Sequence, residues 1–521
     1  MKRRDFIQLA TSSLAIPLVL DGFGATAYNK PNTKFMAAIQ DLAASSSDRI
    51  LVVIQLKGGN DGLNTVIPLD QYQSYASQGV RGNIAIPENK VLKLKSNSNI
   101  GFHPSLVGFQ NLYNEGKLSI VHSAGYPKPS FSHNEATNIW QTGASKPGEM
   151  LNTGWLGRYL DDFNLSDYSD PLAIQIDAVA SAAFNSEKNN PALAINNVDS
   201  FIKNIGTNSY VLDGALPNST VGNFVSFMRD QQTLSLKYGA SLKSANEKGQ
   251  NKVEYPTGNT LATQLQTVAK LISGGLNTKV YYVSLGSFDT HSKQVESTDT
   301  TTGEHAMLLS KLSEAVDVFM KDMIAQGQDN KIIGMTFSEF GRRAVSNGSY
   351  GTDHGWASPM FVFGNAVENQ VIGKTPDLQD LENNNIKLQN EFHTVYAAVL
   401  RDWMGASSQT VNEILQNKNY EAAPIFTKAA VLSNERLKIE KSFNVFPNPS
   451  ASYVTMESEV LANANTNWVF TDMTARQINV NSTKLASNKV RLDVSQLPVG
   501  RYLVKVNTPM GSFIKPILVA K

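Results

Sequence analysis

From Tyr28 to about Ser442 the chain alternates short apolar runs with longer stretches whose apolar residues recur every three to four positions. A short apolar run bounded by turn residues suits a buried strand, whereas the longer period lays apolar side chains along one face of a helix. The alternation predicts an α/β fold with a mostly parallel, doubly wound sheet flanked by helices. Strands are expected at Ile50–Leu56, Leu118–Ser123, Lys279–Leu285, Ile332–Phe337 and Met360–Phe363. Helices are expected at Pro104–Asn114, Asn134–Gln141, Thr260–Ile272, Glu304–Ala325 and His393–Met404. The polar stretches Ser186–Asn190 and Ser244–Asn251 read as surface excursions of this domain.

Both ends depart from this pattern. Residues 1–27 read as a cleavable signal peptide: Lys2, Arg3 and Arg4 precede an apolar stretch from Phe6 to Leu20 and an Ala25-Thr26-Ala27 cleavage pattern. Arg3-Arg4-Asp5-Phe6-Ile7 resembles a twin-arginine signal, which implies export in the folded state through that machinery. Gln8, Thr11, Ser12, Ser13 and Pro17 interrupt the apolar run and argue against a membrane anchor, and no later segment is apolar enough to span a bilayer. After about Glu440 the pattern changes to short alternating strands at Tyr453–Glu457, Trp468–Asp472, Lys489–Asp493, Arg501–Val506 and Ser512–Val519, which predict a small β-sandwich. Phe443-Asn444-Val445-Phe446-Pro447-Asn448-Pro449, Leu497-Pro498-Val499-Gly500-Arg501-Tyr502 and the final Leu518-Val519-Ala520-Lys521 resemble the C-terminal sorting domain of type IX secretion. The expected division is therefore a signal at 1–27, a core at 28–442 and a sorting domain at 443–521. The destination is the exterior or the cell surface, reached through the periplasm.

Charge and cysteine content narrow the function. The 46 Lys and Arg against 45 Asp and Glu leave a net charge of +1, which does not suit a surface that neutralises nucleic-acid phosphate or anionic lipid. The absence of cysteine removes disulfides, thiolate metal ligands and a thiol nucleophile.

In open α/β sheets ligands bind beyond the carboxyl ends of the strands, so chemistry is sought just after each apolar run. Ile50–Leu56 leads into Lys57-Gly58-Gly59-Asn60-Asp61-Gly62, and Leu118–Ser123 leads through a Pro-rich loop to Ser130-Phe131-Ser132-His133-Asn134 at a helix start. A hydroxyl or imidazole there meets free backbone N–H groups that suit an anionic substrate; plain N-capping by Ser132 explains the same residues. Lys279–Leu285 ends in Gly286-Ser287-Phe288-Asp289-Thr290-His291, where a carboxylate and an imidazole two residues apart can share one metal ion. Ile332–Phe337 is followed by Ser338-Glu339-Phe340-Gly341-Arg342-Arg343 and then Gly351-Thr352-Asp353-His354-Gly355-Trp356. His133, His291 and His354 with Asp61, Asp289, Glu339 and Asp353 fit one or two divalent cations such as Zn, Mn, Mg or Ca. Arg342 is placed to clamp an anion at the site. His122 reads as a satisfied core residue, and His103, His305 and His393 read as structural groups at helix edges.

These motifs, together with Trp140-Gln141-Thr142-Gly143 and Val395-Tyr396-Ala397-Ala398-Val399-Leu400-Arg401-Asp402-Trp403, resemble the bacterial family called domain of unknown function 1501 from Arg49 to about Gly405. That family is similar to the alkaline phosphatase and sulfatase superfamily, whose members use two metal ions beside a nucleophile at a helix start. The resemblance implies an alkaline phosphatase-like sheet, with Asp61 as the first-strand metal ligand and Asp289 and His291 as a pair holding one metal. It further implies Glu339 as a second-metal carboxylate and His354 as the late histidine. The chain departs from that pattern in two places. His133 falls at the nucleophile position, with Ser132 one residue away, and Phe340 stands where the second metal's histidine belongs. Formylglycine sulfatase chemistry is disfavoured, because cysteine is absent and Ser132 lacks the required following residues. Three functions follow, in this order: a metal-dependent hydrolase of a small anionic or glycan-linked phosphate or sulfate ester, a non-catalytic surface binding protein that keeps the fold, and a purely structural role, which leaves the His and Asp residues at the strand ends unexplained.

Overall fold

In the computed structural model the described residues are 49–165, 168–188, 191–205, 219–431, 439–440, 442–474 and 476–520. Before Arg49 only the backbone hairpin of Ile16–Leu20 and Phe23–Ala27 is described, so most of the expected signal peptide lies outside the described residues. One unit comprises residues 48–427 and another contains residues 428–521.

The larger unit is built on a nine-stranded sheet. In chain order its strands are β1 Ile50–Leu56, β2 Leu118–Gly125, β3 Ala173–Gln175, β4 Ala192–Ala194 and β5 Val280–Leu285. They continue with β6 Ile332–Phe337, β7 Ser358–Phe363, β8 Val371–Ile372 and β9 Asn390–Glu391. The spatial order is β8-β2-β7-β6-β1-β5-β3-β4, with β9 also paired to β2. Every pairing is parallel except those of β7, which runs antiparallel to both β6 and β2. The expected strand at Met360–Phe363 thus exists, two residues longer and reversed in direction.

Central parallel strands covered on both faces read as unbroken apolar runs, and β1 is buried at all seven positions. Ile50, Val52, Ile54 and Leu56 share a core with helices α1 Val107–Asn114, α4 Thr260–Ser273 and α5 Glu304–Gln326. On the opposite face Trp140, from α2 His133–Thr142, stacks on Phe337 of β6 and on Phe392 of α6 Phe392–Ala398, with ring centroids 5.4 Å and 4.2 Å away. The remaining long helix, α3 Thr220–Lys248, is capped by Ser219 accepting from Gly222 N–H. It corrects one sequence expectation: Ser244–Lys248 is the last turn of this helix and only the residues after it form a loop. A polar helix end and a loop carry the same kinds of residue, so the two were indistinguishable by composition. The expected helix at His393–Met404 begins as α6 and continues through Val399–Trp403 with π-type winding.

Register decides where the site forms. Leu285 of β5 lies opposite Leu56 of β1, and Phe337 of β6 lies opposite Gln55, so the three strands end level. Their following loops therefore leave the sheet side by side. Beneath them a polar seam is buried in the core. Asp61 caps a single helical turn, Gly62–Thr65, by accepting from Leu63 N–H, and its other oxygen accepts from Arg81 and from Gln294 Nε2. Both Asp61 and Arg81 are completely buried. Gln294 Oε1 in turn accepts from the hydroxyls of Thr290 at 3.1 Å and Thr352 at 2.7 Å, which joins the loop after β5 to the loop before β7.

The second unit holds two antiparallel sheets of four and three strands around a core that includes Phe443, Val454, Leu492, Val504 and Phe513. All five expected strands are present. Two strands were not expected: Asn444–Phe446, of three residues, and Ser482–Ala486, which is exposed at every position and so carries no apolar alternation to betray it.

Four buried histidines give this fold a pH dependence. Burial holds the imidazole of His122 down to about 4, and burial chiefly does the same to His305 and His393, with His103 at about 3. A depressed imidazole favours the neutral form in the folded state, so the unfolded chain binds more protons between pH 6.5 and about 4. Stability from these groups is complete above pH 6.5 and lost as pH falls through about 4, by roughly 1.4 kcal/mol per pH unit for each. Urea unfolding between pH 7 and 4 is expected to show this slope, and His122→Gln is expected to flatten it. The Asp61–Arg81 pair gives a second test. Arg81→Met leaves a carboxylate buried without its cation and is expected to cost about 3–5 kcal/mol in the same denaturation experiment.

Candidate metal centre

The loop after β1 can approach its neighbours only because it carries two glycines. Gly58 has φ +121°, and a Cβ there would lie 2.4 Å from Asp289 N; Gly59 has φ +87°, and a Cβ there would lie 2.5 Å from the Phe340 ring. The packed loops expose a row of carbonyl oxygens inward, and Arg342 satisfies them. Its guanidinium donates to Gly58 O, Gly59 O, Phe288 O and Thr352 O and to Asp289 Oδ1. Arg342 is 1% exposed and every donor nitrogen is engaged. The structure thus gives Arg342 the work of binding loops together and of setting Asp289, in place of the anion clamp expected from the sequence.

Around Asp289 three imidazoles converge. His133, the first residue of α2, lies with Nε2 3.4 Å from Asp289 Oδ2. His291 Nε2 and His354 Nε2 each lie 3.1 Å from Asp289 Oδ1 and 3.0 Å from one another. Ligand atoms of His133, Asp289 and His354 all fall within 4.8 Å of one another. The opposite nitrogen of each ring is fixed by an acceptor. His133 Nδ1 donates to Glu339 Oε1 at 2.9 Å, His291 Nδ1 to Asp353 Oδ1 at 3.0 Å, and His354 Nδ1 to Phe131 O at 2.9 Å. These contacts on Nδ1 fix the orientation of the rings and turn each Nε2 toward Asp289.

Burial alone would raise the Asp289 carboxyl, but the Arg342 hydrogen bond and charge, with His354 and His291, hold it down to about 2. For His354, burial is the main cause that lowers the imidazole below its ordinary value, helped by the Arg342 charge. Asp353 is also lowered, its burial outweighed by hydrogen bonds from His291 and Asn347. The group whose ligand atoms all lie within reach of one ion is His133, Asp289 and His354, with His291 Nε2 beside the last two. Nearest separations of 3.0–3.4 Å among the donor atoms are close to the roughly 3.3 Å between two ligands of a tetrahedral ion bound at about 2.0–2.1 Å. The residues present fit a metal ion.

The cluster opens onto a cleft of about 600 Å³. Gln55, Gln141 and Gln175 form part of its lining, with Asn134, Asn138, Lys57 and Asp177. Gln55 Oε1 accepts from Tyr282 Oη at 2.7 Å and from Gln141 Nε2 at 3.4 Å, and Gln175 Oε1 accepts from Ser181 N–H at 2.7 Å, which leaves the NH₂ groups of Gln55 and Gln175 for other partners.

Of the residues singled out in the sequence, His133, Asp289, His291, Glu339, Asp353 and His354 come together. Asp61 does not join them; it is taken up by Arg81, Gln294 and its own helical turn. Ser132 is exposed, makes no side-chain capping bond to α2 and does not line the cleft. Sequence reasoning missed Arg81, Gln294 and the amide floor. A glutamine inside the apolar run of β1 was the visible signal for Gln55; Arg81 and Gln294 lie in polar surroundings that carried none.

Among the described residues no helix is long and apolar enough to cross a membrane. No curated protein matches the chain. Among solved structures it is similar to alkaline phosphatase from the Antarctic bacterium TAB5, at 10% identity over 71% of this chain and 98% of that one, with a TM-score of 0.29. It is also similar to the PsFucS1 sulfatase from Pseudoalteromonas sp., at 12% identity over 95% and 87% of the two chains, TM-score 0.32. A third likeness is to the lipoteichoic acid synthase LtaP from Listeria monocytogenes, at 10% identity over 66% and 68%, TM-score 0.27. Residues 444–520 match a secretion system C-terminal sorting domain, which marks the protein for the cell surface or the exterior. Residues 48–405 match the family described as protein of unknown function (DUF1501), and the chain belongs to that family.

Proposed function

We propose that the core is a metal-dependent hydrolase of small or glycan-linked phosphate or sulfate esters, working outside the cell. The observation that carries this reading is the convergence of three Nε2 atoms on the Asp289 carboxylate, beside a cleft whose wall includes His133, Asp289 and Glu339. His133, His291, His354 and Asp289 would hold the ion, which when bound polarises the ester and offsets charge that develops on its oxygens. Glu339 and Asp353 keep two of the imidazoles in the binding tautomer. Lys57, whose ammonium lies 3.3 Å from Asp177, supplies the cleft with a movable cation for the anionic group. The neutral amides of Gln55, Gln141 and Gln175 offer donors and acceptors without charge, which suits the hydroxyls of a sugar.

Water is the nucleophile in this reading. Both nitrogens of His133 are committed, one to Glu339 and one to the centre, and Ser132 does not line the cleft. The water oxygen forms the new bond to phosphorus or sulfur, the bond to the ester oxygen breaks, and that oxygen leaves with a proton as the alcohol. For export, we take residues 1–27 as a twin-arginine signal, 28–442 as the working core and 443–521 as the part read by type IX machinery.

Purified protein supplied in turn with Zn, Mn, Mg and Ca is expected to hydrolyse at least one member of a panel of sugar phosphates, sugar sulfates and aryl esters. Asp289→Ala and His354→Ala are expected to lose at least a thousandfold in kcat/KM, while Ser132→Ala stays within about threefold. Ligand binding without turnover under every metal would replace this reading with that of a surface binding protein.

A further inference from the structure

We infer that the centre takes a single ion of the zinc class, and that the buried guanidinium of Arg81 balances the carboxylate a second ion would need. The inference rests on the hydrolase reading and narrows it.

The donor set decides the class of ion. The imidazole nitrogens of His133 and His354 with the Asp289 carboxylate, and a third imidazole, His291, alongside, suit a borderline transition metal, whereas magnesium and calcium take oxygen ligands almost throughout. Each ring has its own fixing acceptor on Nδ1, two carboxylates and one backbone carbonyl, an arrangement that orients imidazoles for such an ion.

The neighbouring carboxylates decide the number. A second ion needs anionic oxygens with free lone pairs; Glu339 and Asp353 each have one oxygen committed to an imidazole, and Asp61, the carboxylate at the end of β1, has both oxygens committed. Glu339 Oε1 accepts from Gly58 N–H at 2.7 Å and from His133 Nδ1, and the residue is 2% exposed. Asp353 Oδ1 accepts from His291 Nδ1 and from Asn347 Nδ2 at 3.3 Å. Asp61 accepts from Leu63 N–H, Arg81 and Gln294 and is wholly buried. The Asp61–Arg81 pair is already neutral in sum, so a divalent ion brought to Asp61 would meet a guanidinium in a low-dielectric interior and would have to expel it. Arg81 cannot leave cheaply, because it also donates to Ala344 O at 2.8 Å and Arg343 O at 2.9 Å.

The test is a metal count on the full chain, stripped with chelator and retitrated by calorimetry, with elemental analysis after desalting. One zinc per chain is expected, with Mg and Ca failing to displace it at hundredfold excess, and the cobalt-substituted protein is expected to show the intense visible absorption of a four-coordinate site. His354→Ala is expected to retain none. Glu339→Gln is expected to keep one ion at about 10–100-fold lower affinity, as for a group that orients a ligand. Two ions per chain, falling to one in Glu339→Gln, would overturn the single-ion inference and leave the hydrolase reading standing. A single site that prefers Mg or Ca would overturn the assignment of class. A wild-type protein that binds no ion would sink both this inference and the metal-dependent hydrolase.

Discussion

One buried guanidinium holds the working end of this molecule together. Three loops converge at the carboxyl ends of β1, β5 and β6, and their carbonyl oxygens face inward where water does not reach. Arg342 donates to four of those carbonyls and to Asp289. An unsatisfied buried carbonyl costs on the order of 1–3 kcal/mol, so loss of this side chain would penalise the close approach of the loops several times over. The glycines at 58 and 59 permit the approach, and Arg342 makes it favourable. Asp289 is thereby positioned by the same contact that closes the loops, which couples the centre's geometry to the fold's integrity.

A second buried cation does related work one layer deeper. Arg81 neutralises Asp61, and Gln294 extends the network to the hydroxyls of Thr290 and Thr352. Each threonine is next to residues of the centre: Thr290 stands between Asp289 and His291, and Thr352 precedes Asp353 and His354. The polar interior thus sets the spacing of two loops that never pair as strands. Such networks stabilise only when complete, because the low dielectric that strengthens each bond also penalises each unpaired group. The sheet supplies the coarse position of the site, through level strand ends, and the buried polar groups supply its fine position.

The elements legible in the sequence were those whose burial leaves an unbroken signal. Ile50–Leu56 and Ile332–Phe337 were readable to the residue because parallel central strands are apolar on both faces. The direction of Ser358–Phe363 was not readable, since an apolar run looks the same whichever way the strand pairs. Ser482–Ala486 was invisible for the opposite reason, as an exposed edge strand has no apolar face to show. Within the site, His133, His291 and His354 announced themselves by residue type and by position after apolar runs. The reassignment of Arg342 and Asp61 from ligand-binding roles to structural ones could not be anticipated, because a charged residue reads alike in sequence whether it faces solvent, substrate or its own backbone.

The sequence alone determined the class of fold, the presence of an export-related tail, and which ionisable residues stand at the strand ends, because periodicity and residue type are local properties. The tertiary structure decided which of them meet. Register brought β1, β5 and β6 to a common edge, and hydrogen bonds to Nδ1 turned three imidazoles inward. A buried arginine removed Asp61 from the set. These outcomes depend on distances between residues far apart in the chain, and a hydrogen bond of 3 Å leaves no trace in the order of residues that precede it.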